Sequence, residues 1–235
     1  MTAKTRLCAI GIAGLLCTPA VLAAQSAGTD NRPVAGGLPA TIPIFPLPSA
    51  TLFPNASYAF RIFEPRYRAM VADALKGDRI IGMVTLQPGY EADYEGRPPI
   101  APIGCAGLIT DYEELPDGQF NIVLGGLIKF RVTGEDDSRT YRLARVEAVP
   151  EVLDERETIA LGTERQRLES LVLALSDRFG IGQPPAGVPD EQVVDELSQY
   201  LPIDPLSRQH LLEQDGALAR AIALIEILER LSETP

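Results

Sequence analysis

From Thr41 to about Pro150 the chain is a succession of short apolar or β-branched runs divided by turn residues: TIPIFPLP, SYAFRIF, RIIGMVTLQ, GCAGLITDYEEL, FNIVLGGLIKFRVTGE and YRLARVEAVPE. Runs of this length, rich in Val, Ile, Phe and Tyr, suit pleated strands. In SYAFRIF, Tyr58, Phe60 and Ile62 alternate with Ala59, Arg61 and Phe63, so one face can be buried while Arg61 looks outward. Pro116, Asp117 and Gly118 separate two such runs as a turn, because Pro sets φ and Gly accepts a positive one. The pattern predicts a mostly antiparallel β domain over residues 41–150.

One helix interrupts it. In IFEPRYRAMVADAL, Glu64 marks an N-terminal boundary, Pro65 fits the first turn, and Phe63, Tyr67, Met70, Val71 and Leu75 can share a buried stripe. After Pro150 the period changes from two to about 3.6. Leu161, Leu168, Leu171, Val172, Leu175 and Phe179 fall on one helical face, and FGIGQPPAGVP ends that helix. Asp190 precedes a helix with Val193, Val194, Leu197 and Leu201 on one side. Asp204 and Pro205 open another as cap and first residue. Leu218, Ala221, Ile222, Ile225, Leu228 and Leu231 give a last helix over Ala217–Leu231. The fold class expected is α+β, a β domain followed by a small helical bundle over 151–235.

The N-terminus reads differently. Lys4 and Arg6 precede an apolar run from Leu7 to Leu16, then Pro19 and a V-x-A pattern at Val21 to Ala23. That order predicts a secretory signal peptide over residues 1–23, with a periplasmic or secreted location. An uncleaved membrane anchor is the alternative, because the apolar stretch extended to Ala24 approaches spanning length. Cys17 does not suit lipidation, since Leu16 stands where a small residue is needed. Residues 24–40 are small, polar and Gly/Pro-bearing, a flexible leader.

Charge and composition exclude more than they suggest. The 235 residues carry 21 basic and 32 acidic side chains, a net charge of -11, the wrong sign for a phosphate-binding surface, so nucleic acid is not an expected partner. Without residues 1–23, Lys4 and Arg6 are lost and the balance becomes 19 against 32, or -13. Cys105 then has no cysteine to pair with, and its apolar setting in APIGCAGLIT suits a buried structural thiol. Lys76 and Lys129 are the remaining lysines, and neither stands in a Gly-Lys-Ser/Thr phosphate loop. A single histidine, His210, excludes a histidine-rich zinc site and suits a helix-flanking position better than a general base. The carboxylate pairs Glu113/Glu114, Asp136/Asp137 and Glu155/Glu157 lie in exposed, turn-like runs. Lys129 reads as an outward charge in an alternating strand. No cofactor, metal or catalytic residue is expected.

Five short motifs follow one another along the chain: Pro-x-Phe-Pro-Leu at Pro43–Leu47, Leu-Phe-Pro at Leu52–Pro54, Phe-Glu-x-Arg-Tyr at Phe63–Tyr67, Asp-Gly at Asp117–Gly118, and a Gly-led strand at Gly126–Val132. Together they resemble the N-terminal substrate-binding domain of the Lon protease family, and with the helical remainder the resemblance runs from about residue 41 to 232. It implies a β pseudo-barrel of PUA-like type with a helical subdomain, and a role in recognising unfolded or tagged polypeptide. It implies no catalytic residue in this region. The chain has the look of the stand-alone substrate-binding-domain proteins of bacteria, without ATPase or peptidase modules. The signal peptide sets it apart from Lon, which works in the cytoplasm or mitochondrial matrix.

The function expected is therefore a non-catalytic, proteolysis-related binding module for exposed polypeptide segments, with Phe45, Phe53, Phe63 and Tyr67 as the candidate contact residues. Burial of those aromatics in the core is the alternative. A remnant peptidase or small-molecule hydrolase using Glu113, Asp117 or Lys129 is the competing function. The oligomeric state, the identity of the partner and the involvement of any protease or chaperone carry no sequence signal.

Overall fold

A computed structural model of the chain describes residues 37–94, 96–176 and 187–233, all within one compact unit running from Pro33 to Pro235. The expected signal peptide, residues 24–36 of the leader, and Phe179 lie outside the described residues. The strands are β1 (Thr41–Leu47), β2 (Ser57–Ile62), β3 (Ile80–Thr85), β4 (Ile103–Glu114), β5 (Phe120–Asp136) and β6 (Arg142–Val149). Helix α1 (Pro65–Lys76) lies between β2 and β3. After β6 come α2 (Glu155–Ala174), α3 (Asp190–Tyr200), α4 (Pro205–Glu213) and α5 (Ala217–Glu233).

The six strands form one mixed sheet in the order β2-β5-β4-β3-β1-β6, and β6 pairs again with β5. Five strands thus close into a ring, a pseudo-barrel, with β2 left outside it. The β1–β3 pair, Ile44 opposite Gly82, is parallel, and the other pairings are antiparallel. A parallel pair needs a long crossover, which β2 and α1 supply. On the side away from β4, the 17-residue β5 serves two partners, Phe120–Gly125 beside β2 and Lys129–Asp136 beside β6. A register shift opposite Ala106 and Gly107, which pair with Ile128 and Gly126, leaves Leu127 as the extra residue of a bulge and bends the strand between its two duties.

Two cores result. Ile42, Ile44, Val84, Ala106, Phe130 and Ala144 fill the inside of the ring. It is narrow enough that a Cβ on Gly104 would overlap the Met83 carbonyl and press on the Phe130 ring. The second core lies outside the ring, where Tyr67, Met70 and Val71 of α1 and the inner faces of α2, α3 and α5 pack on the sheet. Leu168, Val194, Leu211 and Leu228 are fully enclosed there, each stabilising the packed state by about 2 kcal/mol relative to exposure.

The helices start where the chain supplies caps. Asp154 Oδ1 accepts from the Arg156 and Glu157 N–H groups, both at 2.8 Å, and Glu157 Oε2 accepts from the Asp154 N–H at 2.9 Å, a reciprocal box at the head of α2. Asp204 caps α4 through the Ser207 N–H at 2.9 Å, with Pro205 as first residue, as expected. Gly118 takes φ +74° in the β4–β5 turn, also as expected. The stripe of α1 differs at its ends: Phe63 is 61% exposed and Leu75 half-buried, while Ala74 completes the buried face. Phe63 precedes the helix, so helical spacing does not govern where its ring points.

Candidate functional site

Three of the four aromatics expected to contact a partner are core residues. The Phe45 ring meets Phe60 edge-on at 5.3 Å and lies 4.7 Å from the Tyr67 ring. Phe53 is fully buried beneath the Arg220 guanidinium, at 5.5 Å. The Phe45, Phe53 and Tyr67 rings are therefore enclosed by the strands and helices around them and offer no apolar face to a polypeptide. Phe63 does, and it follows β2 directly.

β2 is the edge of the sheet. The Ala56 carbonyl accepts from the Gly126 N–H of β5 at 2.7 Å, whereas the next carbonyl, Ser57, accepts from Gln199 Nε2 at 2.6 Å and from the Tyr200 hydroxyl. Since backbone groups in a strand alternate sides, Tyr58, Phe60 and Ile62 turn theirs toward β5, and Ala59 and Arg61 turn theirs away. No strand pairs with that outer side among the described residues. Its first acceptor is already used by α3 and the rest is open. The face of the β2-β5-β4 portion forms a shallow concavity of about 550 Å³, lined by residues including Ala59, Phe60, Arg61, Tyr112, Asn121 and Val123. Tyr58 and Phe60 stack at 4.5 Å and stiffen the strand from its inner side.

The side chains of the competing hydrolase reading are committed elsewhere. Glu113 accepts from Asn121 Nδ2 at 2.8 Å on the exposed face, and Asp117 accepts from the Gln119 N–H at 3.0 Å within the hairpin turn. Lys129, expected to point outward, is buried at 2% exposure. The bulge at Leu127 is the reason, since one extra residue exchanges the faces of a strand. Even-numbered Phe120, Ile122 and Leu124 face the outer core, but Ile128, Phe130 and Val132 belong to the inside of the ring, so Lys129 turns toward the helices.

There it joins a network that the sequence reading missed. Lys129 Nζ lies 2.7 Å from Glu151 Oε1 and donates to the Gln214 carbonyl. Arg220, wholly buried, pairs with both Glu151 and Asp195 and donates from Nε to the Leu211 carbonyl at 3.2 Å. Asn55 Nδ2 donates to Asp195 Oδ2 at 3.0 Å, and Gln199 Oε1 accepts the Phe53 N–H at 3.0 Å. Burial pushes the Asp195 carboxyl up to about 6; Arg220 and Asn55 oppose that shift and Glu151 adds to it. The network ties the 53–57 segment and β5 to α3 and α5. A signal for it existed, because Arg220 stands at helical spacing from Ala217, Leu224 and Ile227, inside the apolar stripe of α5.

Burial drives the Cys105 thiol far above its ordinary value, with Arg220 and the Leu127 backbone opposing only in part, which fits a structural cysteine. His210 is exposed near the end of α4, 3.1 Å from the Gln214 amide. Among the described residues no group of three or more His, Cys, Asp or Glu side chains is placed to hold a metal ion.

Residues 41–230 match the family model of the ATP-dependent protease La (LON) substrate-binding domain. The Lon protease of Anaeromyxobacter dehalogenans is 24% identical over 206 residues, covering 83% of this chain and 24% of that protein. Lon protease 2 of Sorangium cellulosum is 29% identical over 136 residues, 57% of this chain and 17% of that one. The chain thus spans about a quarter or less of these relatives. Among solved structures, the N-terminal domain of Mycobacterium avium complex Lon protease superposes with a TM-score of 0.60 at 14% identity, over 83% of this chain and all of that one. A Lon N-terminal domain protein from Xanthomonas campestris gives 0.53 at 23%, over 83% and 99%. The strand ring, the helices packed on it and the matched span agree: the chain belongs to the family of the Lon protease substrate-binding domain.

Proposed function

We propose that this chain is a non-catalytic polypeptide-binding module that receives extended segments of other proteins as an added strand on the outer side of β2. The observation that carries this reading is the alternation of β2, which leaves the N–H and C=O of Ala59 and Arg61 unpaired by any strand among the described residues. Backbone groups are the same in every sequence, so an edge of this kind binds unfolded segments without demanding particular side chains. Phe63 and the concavity beside Ala59 and Arg61 supply apolar contact for alternate residues of the added strand. The family's description as a substrate-binding domain supports the same reading. The order of charge, apolar run and V-x-A in residues 1–23 supports work outside the cytoplasm.

The test is Ala59→Pro. Proline on an edge strand removes one outward N–H and leaves the ladder to β5 intact. With reduced and alkylated lysozyme as an unfolded probe, binding followed by fluorescence anisotropy should weaken by about tenfold in the variant, from one lost hydrogen bond and the steric block of the ring. Equal affinity in the two proteins, with the variant folded, would rule out the edge of β2.

A further inference from the structure

A cleft of about 230 Å³ opens between the β1 end, the start of α1, the 96–97 loop and the start of β6. Three guanidiniums, Arg66, Arg97 and Arg142, line it together with Tyr67 and Tyr141, and no carboxylate is among the described residues that do so. On a chain of net charge -11 this concentration of cations runs against the average.

The acids that balance these arginines stand behind or beside them. Glu64 Oε2 holds Arg66 Nε at 3.0 Å, and the Arg66 guanidinium also lies over the rings of Tyr67 and Tyr94, at 4.6 and 4.8 Å. Asp137 pairs with Arg97, but Asp137 is 80% exposed, so this contact is a weak surface pair that can open. Arg142 is the unusual member. It is 93% buried (7% exposed); Nη2 donates to the Pro98 carbonyl at 2.8 Å, and Nε lies 3.0 Å from Glu135 Oε2 without hydrogen-bond alignment. Its Nη1 meets no acceptor. The Tyr67 hydroxyl is likewise buried with no partner in hydrogen-bond geometry, although Tyr94 is near enough to perturb it. Buried donors are costly when unpaired. Here the two residues that carry them line a cleft with two further guanidiniums.

We propose that this cleft is a carboxylate-binding subsite, in which Arg142 and Tyr67 supply the fixed donors and Arg97 exchanges Asp137 for the incoming anion. A guanidinium fork matches a planar carboxylate and holds it through charge-assisted bonds. Burial and the neighbouring charge of Arg97 already lower the Arg142 guanidinium from its ordinary value, with Glu135 opposing, and the charge of a bound anion would act in the same direction as Glu135. The carboxylate can come from a peptide terminus or from a free organic acid.

The experiment is calorimetric titration of the full chain with three probes: glutarate, acetyl-trialanine with a free carboxylate, and the same peptide as its C-terminal amide. Saturable binding of a free-acid probe is expected into the millimolar range, lost for the amide and weakened by about tenfold in Arg97→Gln. Binding of the peptide acid without glutarate identifies the terminus as the source, and equal binding of both identifies a free acid. Arg142→Lys keeps the charge without the fork and should bind less; Arg97→Gln, at the surface, keeps the test decisive if that variant fails to fold. No heat with either acid, or affinity unchanged in Arg97→Gln, overturns the proposal. Ala59→Pro should leave this titration unaltered, so the cleft and the β2 edge stand or fall separately.

Discussion

Arg220→Met removes the centre of the buried network while nearly conserving volume. Asp195, 1% exposed, then keeps Asn55 as its partner and loses its cation, and Glu151 retains Lys129. Stranding a buried carboxylate in this way costs about 3–5 kcal/mol. The cost depends on pH in a definite direction. Burial places the folded Asp195 carboxyl at about 6, above its unfolded value, so the neutral form is favoured in the fold. Its stabilising contribution is complete below an unfolded value of about 4 and is lost as pH rises through the folded one, a difference of about 3 kcal/mol. Without Arg220 the folded value must rise further. At pH 8 the intact protein holds an ionised pair, whereas the variant must either strand the charge or take up a proton at high pH, so the penalty is largest there. Near pH 5 both hold mostly neutral Asp195, so the penalty shrinks to lost packing and the loosened Glu151, about 1–2 kcal/mol. Urea unfolding of both proteins at the two pH values, followed by circular dichroism, measures each difference. A penalty equal at the two pH values, or below about 1 kcal/mol at pH 8, would refute the reasoning.

Two further outcomes follow from the backbone. Gly126→Ala would drive a Cβ into the Phe53 carbonyl at the turn that docks on β5, so the thermal midpoint should fall with a loss of about 2–3 kcal/mol; an unchanged midpoint would contradict the close approach. Asp204→Ala should cost about 1 kcal/mol near neutral pH through the lost cap of α4. The Ser207 hydrogen bonds hold the Asp204 carboxyl below its ordinary value, so this contribution is present above the unfolded value and disappears as pH falls through the folded one. Denaturation of the pair should converge in acid, and a gap that persists there would point to packing instead.

The helices were legible because their information is local. The spacing of Val193, Val194, Leu197 and Leu201, or the Asp204–Pro205 start, acts within one or two turns of chain, and the described structure follows it. The box at Asp154 and Glu157 was equally local and could have been read from its three-residue spacing. The existence of most strands and the turn at Asp117–Gly118 came from the same short-range grammar. Phe45, Phe53 and Tyr67 show its limit, since an aromatic beside a proline looks the same in sequence whether a helix covers it or not.

What the amino-acid order determined by itself was therefore most of the elements, the greater part of the helices' inner faces, and the family. Tertiary structure alone decided that five strands close and leave β2 with a bare side, because pairing joins residues far apart in the chain. It alone turned Lys129 inward, because a bulge is settled by the neighbours a strand must serve at once. The meeting of Arg220 with Asp195 and Glu151, and of Arg66, Arg97 and Arg142 around one cleft, arises where packing overrides the tendency of charge to seek water. No local pattern carries such distances, and only the closed ring and the helices laid against it bring those groups together.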